Sequence, residues 1–159
     1  MRRAALLALC AAACANSSGD GRCGPTSGEV NEVIDGDTIV LASGEHVRYL
    51  LINSTEITNG HDECYGHEAQ AHNADLVLGK TVKLTYDTEC TDKYARLLAY
   101  ITVGSRDVNL DMIQKGFACV LYIPPDGESR HVEFETAQAA AQSAGVGIWT
   151  ACNPVPCAS

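Results

Sequence analysis

The chain is short of positive charge. Its 159 residues carry 11 Lys and Arg against 20 Asp and Glu, a formal net charge of −9. Affinity for a phosphate backbone comes from Lys and Arg, so this is not a broad electrostatic binder of nucleic acid. Any chemistry on phosphate must rest on a few local basic groups or on a cation. The chain also lacks an apolar run of the roughly 20 residues a helix needs to cross a bilayer. No two cysteines have the two-residue spacing of a zinc knuckle, and the 5 histidines form no cluster, which argues against structural zinc. No internal repeat is present. An apolar fraction of 46% over 159 residues is enough for one domain with its own core.

What the chain does have begins with a leader. Met1-Arg2-Arg3 precedes a short apolar run, Ala4 to Ala13, the pattern of an export signal over residues 1–13. Ala11-Ala12-Ala13-Cys14 resembles a lipoprotein cleavage box, so Cys14 is the expected lipid-bearing residue and a membrane the expected partner. Residues 14–27, rich in Ser and Gly, read as a flexible tether. The expected location is the bacterial envelope, as a lipoprotein, or the secreted fraction. Of 8 cysteines, removal of Cys10 and lipidation of Cys14 leave Cys23, Cys64, Cys90, Cys119, Cys152 and Cys157. An even set in an exported chain implies disulfides, with about 15 possible connectivities for six cysteines.

From Glu29 the pattern becomes that of strands. Val30, Val33 and Ile34 lead into Asp35, Thr38 to Ala42 follows, Ser43-Gly44 is a hairpin turn, and His46 to Ile52 reads as a third strand. Gly66 to Leu78 reads as a helix stopped by Gly79; Thr81 to Tyr86 alternates as a fourth strand, and Leu97 to Val103 is a fifth. Val108 to Lys115 is a short helix with Asp107 as N-cap, and Val132 to Ala144 a third helix ended by Gly145. This order predicts an α+β domain over 28–150: a five-stranded OB-type barrel with three helices packed on it, followed by a cysteine-bearing tail over 151–159.

The chemistry sits at strand ends. Asp35-Gly36-Asp37 alone reads as a hairpin turn, but two carboxylates there also offer hard oxygen ligands of the kind Ca²⁺ and Mg²⁺ prefer. Arg48, in the apolar strand Val47-Arg48-Tyr49-Leu50-Leu51, and Arg96, in Thr91-Asp92-Lys93-Tyr94-Ala95-Arg96, are each readable as surface charges. A guanidinium is equally the group that grips phosphate bidentately. Glu56 reads either as a solvated loop charge or as a general base for water.

Taken together, Ile34-Asp35-Gly36-Asp37-Thr38, Arg48-Tyr49-Leu50-Leu51, Glu56, Thr91 to Arg96, Leu98-Ala99-Tyr100 and Gly147-Ile148-Trp149 resemble the staphylococcal nuclease (thermonuclease) family, in the family's order, from about Glu29 to Trp149. The resemblance implies a Ca²⁺-dependent phosphodiesterase acting on DNA or RNA with little sequence preference, and most simply a monomer. It implies that Asp37 binds the metal with Asp35 beside it, that the Ser54 carbonyl faces it, and that Arg48 and Arg96 hold the phosphate. It further implies Glu56 as general base, and Lys93, Tyr94 and Tyr122 as nucleotide contacts. At Asn53 the chain has an amide where the family has a second metal carboxylate. A catalytically weakened barrel that binds nucleic acid or protein is the alternative. In the family fold the segments carrying Cys64 and Cys90 run side by side, implying Cys64–Cys90. Cys119–Cys152 and Cys23–Cys157 are then the remaining expected pairs.

Overall fold

The computed structural model describes residues 22–158. The expected signal peptide, Cys14 and most of the expected tether lie outside the described residues. In chain order the elements are β1 (Ser27–Val33), β2 (Thr38–Leu41), β3 (His46–Tyr49), β4 (Ile52–Ser54), α1 (Gly66–Val77), β5 (Thr81–Thr85), β6 (Leu97–Val103), β7 (Arg106–Asp107), α2 (Val108–Gln114), β8 (Ala118–Val120), α3 (His131–Ala144) and α4 (Ile148–Ala151). Five strands in the order β3-β2-β1-β5-β6 form a mixed barrel, closed by parallel pairing of β3 with β6. With helices packed on it, this is the expected α+β architecture.

The strand pattern dictates the barrel's inside. In β5 Val82 and Leu84 point inward between exposed Thr81, Lys83 and Thr85, the clean period of two. In β1 the buried residues are Val30 and Val33, three apart. A bulge between Val30 and Glu32 supplies the extra residue that turns both inward. Ile39, Leu41, Val47, Tyr49, Ala99 and Ile101 complete the interior, and Met112, Ile113 and Phe134 join the core from the helices.

The expected third strand, His46 to Ile52, is interrupted. Leu51 adopts φ 63°, a left-handed conformation that ends pairing with the barrel. The fully buried Asn109 holds this exit: its amide donates to the Leu50 carbonyl (2.9 Å) while its oxygen accepts from the Ile101 N–H (2.9 Å). Beyond the kink, β4 pairs antiparallel with β8 in a separate ribbon that puts Asn53 opposite Cys119.

Residues 23–27, read from sequence as the end of a tether, are docked. The Tyr86 hydroxyl donates to the Pro25 carbonyl (2.7 Å), the Leu84 N–H donates to Thr26 (2.9 Å), and Cys23 is bridged. The disulfides are Cys23–Cys90, Cys64–Cys152 and Cys119–Cys157. All six expected cysteines are bridged, but none of the expected pairs Cys64–Cys90, Cys119–Cys152 and Cys23–Cys157 forms. The reason is the path of the ends. The N-terminal segment runs beside β5 and reaches Cys90, while the segment after α4 folds back against the loop carrying Cys64 and against β8. No helix among the described residues is long and apolar enough to cross a membrane.

Candidate active site

The turn between β1 and β2 places two carboxylates where the barrel meets α1. Gly36 is required there, since a Cβ would lie 2.7 Å from the Ser54 Cβ and 2.8 Å from the Ala69 Cβ. Helix α1 braces the turn: Gln70 donates to the Val33 and Ile34 carbonyls, and buried Asn73 donates to the Asp35 carbonyl (3.0 Å) while accepting from the Tyr49 hydroxyl. Asp35 is 8% exposed and Asp37 4%. Asp37 accepts from the Ser54 N–H (2.7 Å), the Thr38 hydroxyl (2.9 Å) and Arg48 Nε (3.1 Å). Asp35 accepts from the Asp37 N–H at 2.9 Å.

Burial, and then the Asp37 carboxylate beside it, push the Asp35 carboxyl up to about 7. A carboxyl whose folded pKa exceeds its unfolded value stays protonated in the native protein while the unfolded chain ionises, so its contribution to stability falls as pH rises between the two values. In chelator, we expect Asp35 to make the parent lose stability from about pH 4 to about pH 7. The loss is of order a few kcal/mol, at about 1.4 kcal/mol per pKa unit. Asp35→Asn, which keeps an oxygen to accept the Asp37 N–H, should gain on the parent over that range. Urea unfolding at a series of pH values checks this; a parent–variant difference that stays flat from pH 4 to pH 8 would contradict it.

Parallel pairing of β3 with β6 sets Arg48 against Leu98 and brings Arg96, one residue before β6, to the same end of the barrel. Arg48 is held on every side: Nη1 donates to the Tyr49 and Ile52 carbonyls (both 2.7 Å), Nη2 donates to the Asn53 side-chain oxygen (3.1 Å), and Nε faces Asp37. Arg96 pairs through Nε and Nη2 with Asp92 (both 2.7 Å), whose other oxygen accepts the Tyr94 and Arg96 N–H groups. This turn runs through Ala95 at φ 62°, unusual for a residue with a side chain.

Glu56 follows β4 at the mouth of the same region. One carboxylate oxygen accepts from the Thr58 N–H (2.7 Å) and hydroxyl (2.5 Å). Burial pushes its carboxyl up, but the hydrogen bonds from Thr58 and the Ile57 N–H, with His61 nearby, outweigh it and hold Glu56 below the usual range.

These groups, drawn from separate elements, line one cleft of about 380 Å³: Asp35, Asp37, Arg48, Asn53, Ser54, Glu56 and Arg96, with Glu63, Leu121, Pro156 and Cys157. A second hollow of about 360 Å³ shares Arg48, Arg96 and Leu121 and continues past Lys93 and Tyr94 to Leu98 and Ile123. Tyr122 lines neither; its ring stacks on His131 at 4.5 Å, and its neighbours Leu121 and Ile123 line the hollow instead. Sequence reasoning did not single out Glu63, Asn73, Asp92 or Asn109. The only signal for Asp92 was its place in the Thr91–Arg96 motif, and the others are ordinary polar residues in loop or helix sequence.

The carboxylates of Asp35 and Asp37 line the cleft together with Asn53 and Ser54, and carboxylate oxygens are donors that suit a hard cation. Among the described residues no close group of three or more His, Cys, Asp or Glu is arranged to hold a metal. The fit of this cleft to a cation rests on Asp35 and Asp37.

Comparison with known proteins points the same way. Residues 46–151 match the family described as staphylococcal nuclease homologue. The chain is 34% identical over 125 residues to a thermonuclease of Staphylococcus intermedius, spanning 76% of this chain and 74% of that protein. It is 34% identical over 128 residues to endonuclease YncB of Bacillus subtilis (strain 168), spanning 76% of this chain and 60% of YncB. A thermonuclease of Staphylococcus hyicus is 29% identical over 127 residues, spanning 77% of this chain and 75% of that protein. The family match runs from β3 through α4 and so takes in both arginines and Glu56, and with the Staphylococcus intermedius relative it establishes that this chain belongs to the staphylococcal nuclease family.

Proposed function

We propose that the protein is an exported nuclease that hydrolyses phosphodiester bonds of DNA or RNA, with Ca²⁺ as its cation. The observation that carries this reading is the convergence of Asp37, Arg48, Glu56 and Arg96 on one cleft. The family relatives named thermonuclease and endonuclease support it.

In this reading the scissile phosphate sits between Arg48 and Arg96. Both guanidiniums are pre-positioned by Asp37 and Asp92, so little reorganisation is needed as charge builds on the phosphoryl oxygens. Water attacks phosphorus, Glu56 accepts the water proton, the P–O ester bond breaks, and the leaving oxygen is protonated from solvent. Asp37 would hold Ca²⁺, with Asp35, Asn53 and the Ser54 carbonyl around it, and the ion would supply positive charge that stabilises the phosphoryl oxygens. The hollow past Lys93 and Tyr94 takes a base and sugar of the bound strand, with Leu121 and Ile123 as its apolar wall. Incubating purified protein with single-stranded DNA and with RNA, in Ca²⁺ and then in chelator, tests the reading. Shortened products in Ca²⁺ alone are expected; retention of the strand without cutting would favour a binding module. That alternative draws its support from Asn53, whose oxygen is turned to Arg48.

Asn53 sets the expected cation affinity, because Ca²⁺ sites are tuned by ligand charge as well as rigidity. Asn53→Asp adds a carboxylate beside Asp37 and should tighten Ca²⁺ binding on the order of tenfold. Cleavage should rise when calcium is limiting and the gain should shrink at saturation. Calorimetry with a calcium titration of activity checks this, and unchanged affinity would remove residue 53 from the metal site.

Export is supported by the three disulfides, which persist in oxidising compartments. We further propose a mature chain that begins at Cys14 and carries lipid there. Its intact mass should show the lipid and the loss of residues 1–13. A mass that retains Met1, or a soluble form trimmed past Cys14, would contradict it.

A further inference from the structure

The segment after α4 is fastened by two disulfides, Cys64–Cys152 and Cys119–Cys157. Cys152 is bridged to Cys64, the neighbour of Glu63, and Cys157 is bridged to Cys119, which pairs with Asn53 across the β4–β8 ribbon. Glu63 in turn clasps Glu56 reciprocally: the Glu56 N–H donates to a Glu63 carboxylate oxygen (2.7 Å), and the Glu63 N–H donates to the Glu56 carbonyl (2.9 Å). Followed round, the path runs from Asn53 along the backbone to Glu56, across the clasp to Glu63 and Cys64, through the bridge to Cys152, along the strap to Cys157, and through the second bridge to Cys119 opposite Asn53. It is a closed circuit of covalent and hydrogen bonds. Asn53, Ser54, Glu56, Glu63, Pro156 and Cys157, all on this circuit, line the acidic cleft.

We propose, resting on the nuclease reading above, that the strap Cys152–Cys157 and its two disulfides are a positioning device that holds Glu56 and the cleft wall in the geometry cleavage needs. The Glu56 segment between β4 and α1 contains no regular helix or strand of its own. Its carboxylate is tied locally to Thr58, and the backbone that carries it leaves β4 through the buried Thr55 and is then clasped by Glu63. A displacement of a reacting group by about 1 Å can cost about 10²-fold in rate, so a circuit that fixes this backbone acts on turnover rather than on substrate affinity. Arg96 is held by Asp92, off the circuit, and Arg48 keeps its ion pair with Asp37 although Asn53 and Ile52 of β4 also accept from it, so phosphate binding depends on the circuit less than the Glu56 backbone does.

Four variants test this beside the parent: Cys64→Ser with Cys152→Ser, Cys119→Ser with Cys157→Ser, and, for a case where loss of a bridge prevents folding, Glu63→Ala and Glu63→Gln. Circular dichroism establishes which are folded. The readouts are kcat and KM on single-stranded DNA in Ca²⁺, and hydrogen exchange at the Glu56 amide. We expect folded bridge variants and Glu63→Ala to lose about 10²-fold in kcat with KM nearly unchanged, and to exchange the Glu56 amide faster. Glu63→Gln, which keeps an acceptor oxygen, should recover most of both. Parent-like kcat and parent-like Glu56 exchange in the folded variants, or a loss confined to KM, would overturn the proposal. Should the parent itself not cut, the nuclease reading fails, while faster Glu56 exchange in the variants still establishes the circuit and parent-like exchange still overturns it.

Discussion

Arg96→Ala is expected to lower turnover about 10²–10³-fold, the typical loss when one preorganised donor to developing charge is removed. Arg96 borders both the acidic cleft and the apolar hollow, which puts it where the two halves of a bound nucleotide would meet. Its side chain is 30% exposed, against 11% for Arg48, so it is the arginine a strand reaches more easily. The same exposure means that truncation leaves no large hole. Asp92 keeps its bonds to the Tyr94 and Arg96 N–H groups, so the loop should hold its shape. Single-turnover cleavage reads the chemical step, and thermal unfolding checks the fold. Wild-type turnover in a folded variant would make Arg96 a surface charge.

Glu56→Gln should be nearly as severe, about 10²–10⁴-fold, the range general-base catalysis contributes. Glutamine retains an oxygen to accept from Thr58 but has no carboxylate to take a proton. The loss should therefore fall on kcat and leave KM near the parent value. Because its hydrogen bonds hold Glu56 below the ordinary carboxylate range, the parent's acid limb should lie low on the pH axis and vanish in the variant. A rate profile identical in parent and variant would remove Glu56 from the chemistry.

Much of this site was legible in the sequence, for identifiable physical reasons. Strands β2, β5 and β6 announce themselves by alternation or by an apolar run, and the Asp107 cap of α2 and the Gly145 stop of α3 by residue type, since Asp accepts the Leu110 N–H and Gly145 sits at φ 61°. Arg48 and Arg96 were readable because they interrupt otherwise apolar or motif-bearing stretches. The misses share a different cause. Leu51 gives no local signal for a left-handed turn; the buried Asn109 that accompanies it lies more than fifty residues away. Strand β8 is three residues long, too short for periodicity to show, so the position of Cys119 opposite Asn53 was hidden, and with it the disulfide pairing. Each miss concerns a long-range partner, which spacing along one chain does not encode.

The most direct test of the account is the cleavage of an end-labelled single-stranded oligonucleotide by the purified protein while free Ca²⁺ is raised from chelated to millimolar. The account predicts no products in chelator and a saturable rise in rate with calcium, lowered about 10²–10³-fold by Arg96→Ala. Products that form at the same rate in chelator, or an intact oligonucleotide at saturating calcium, would contradict it.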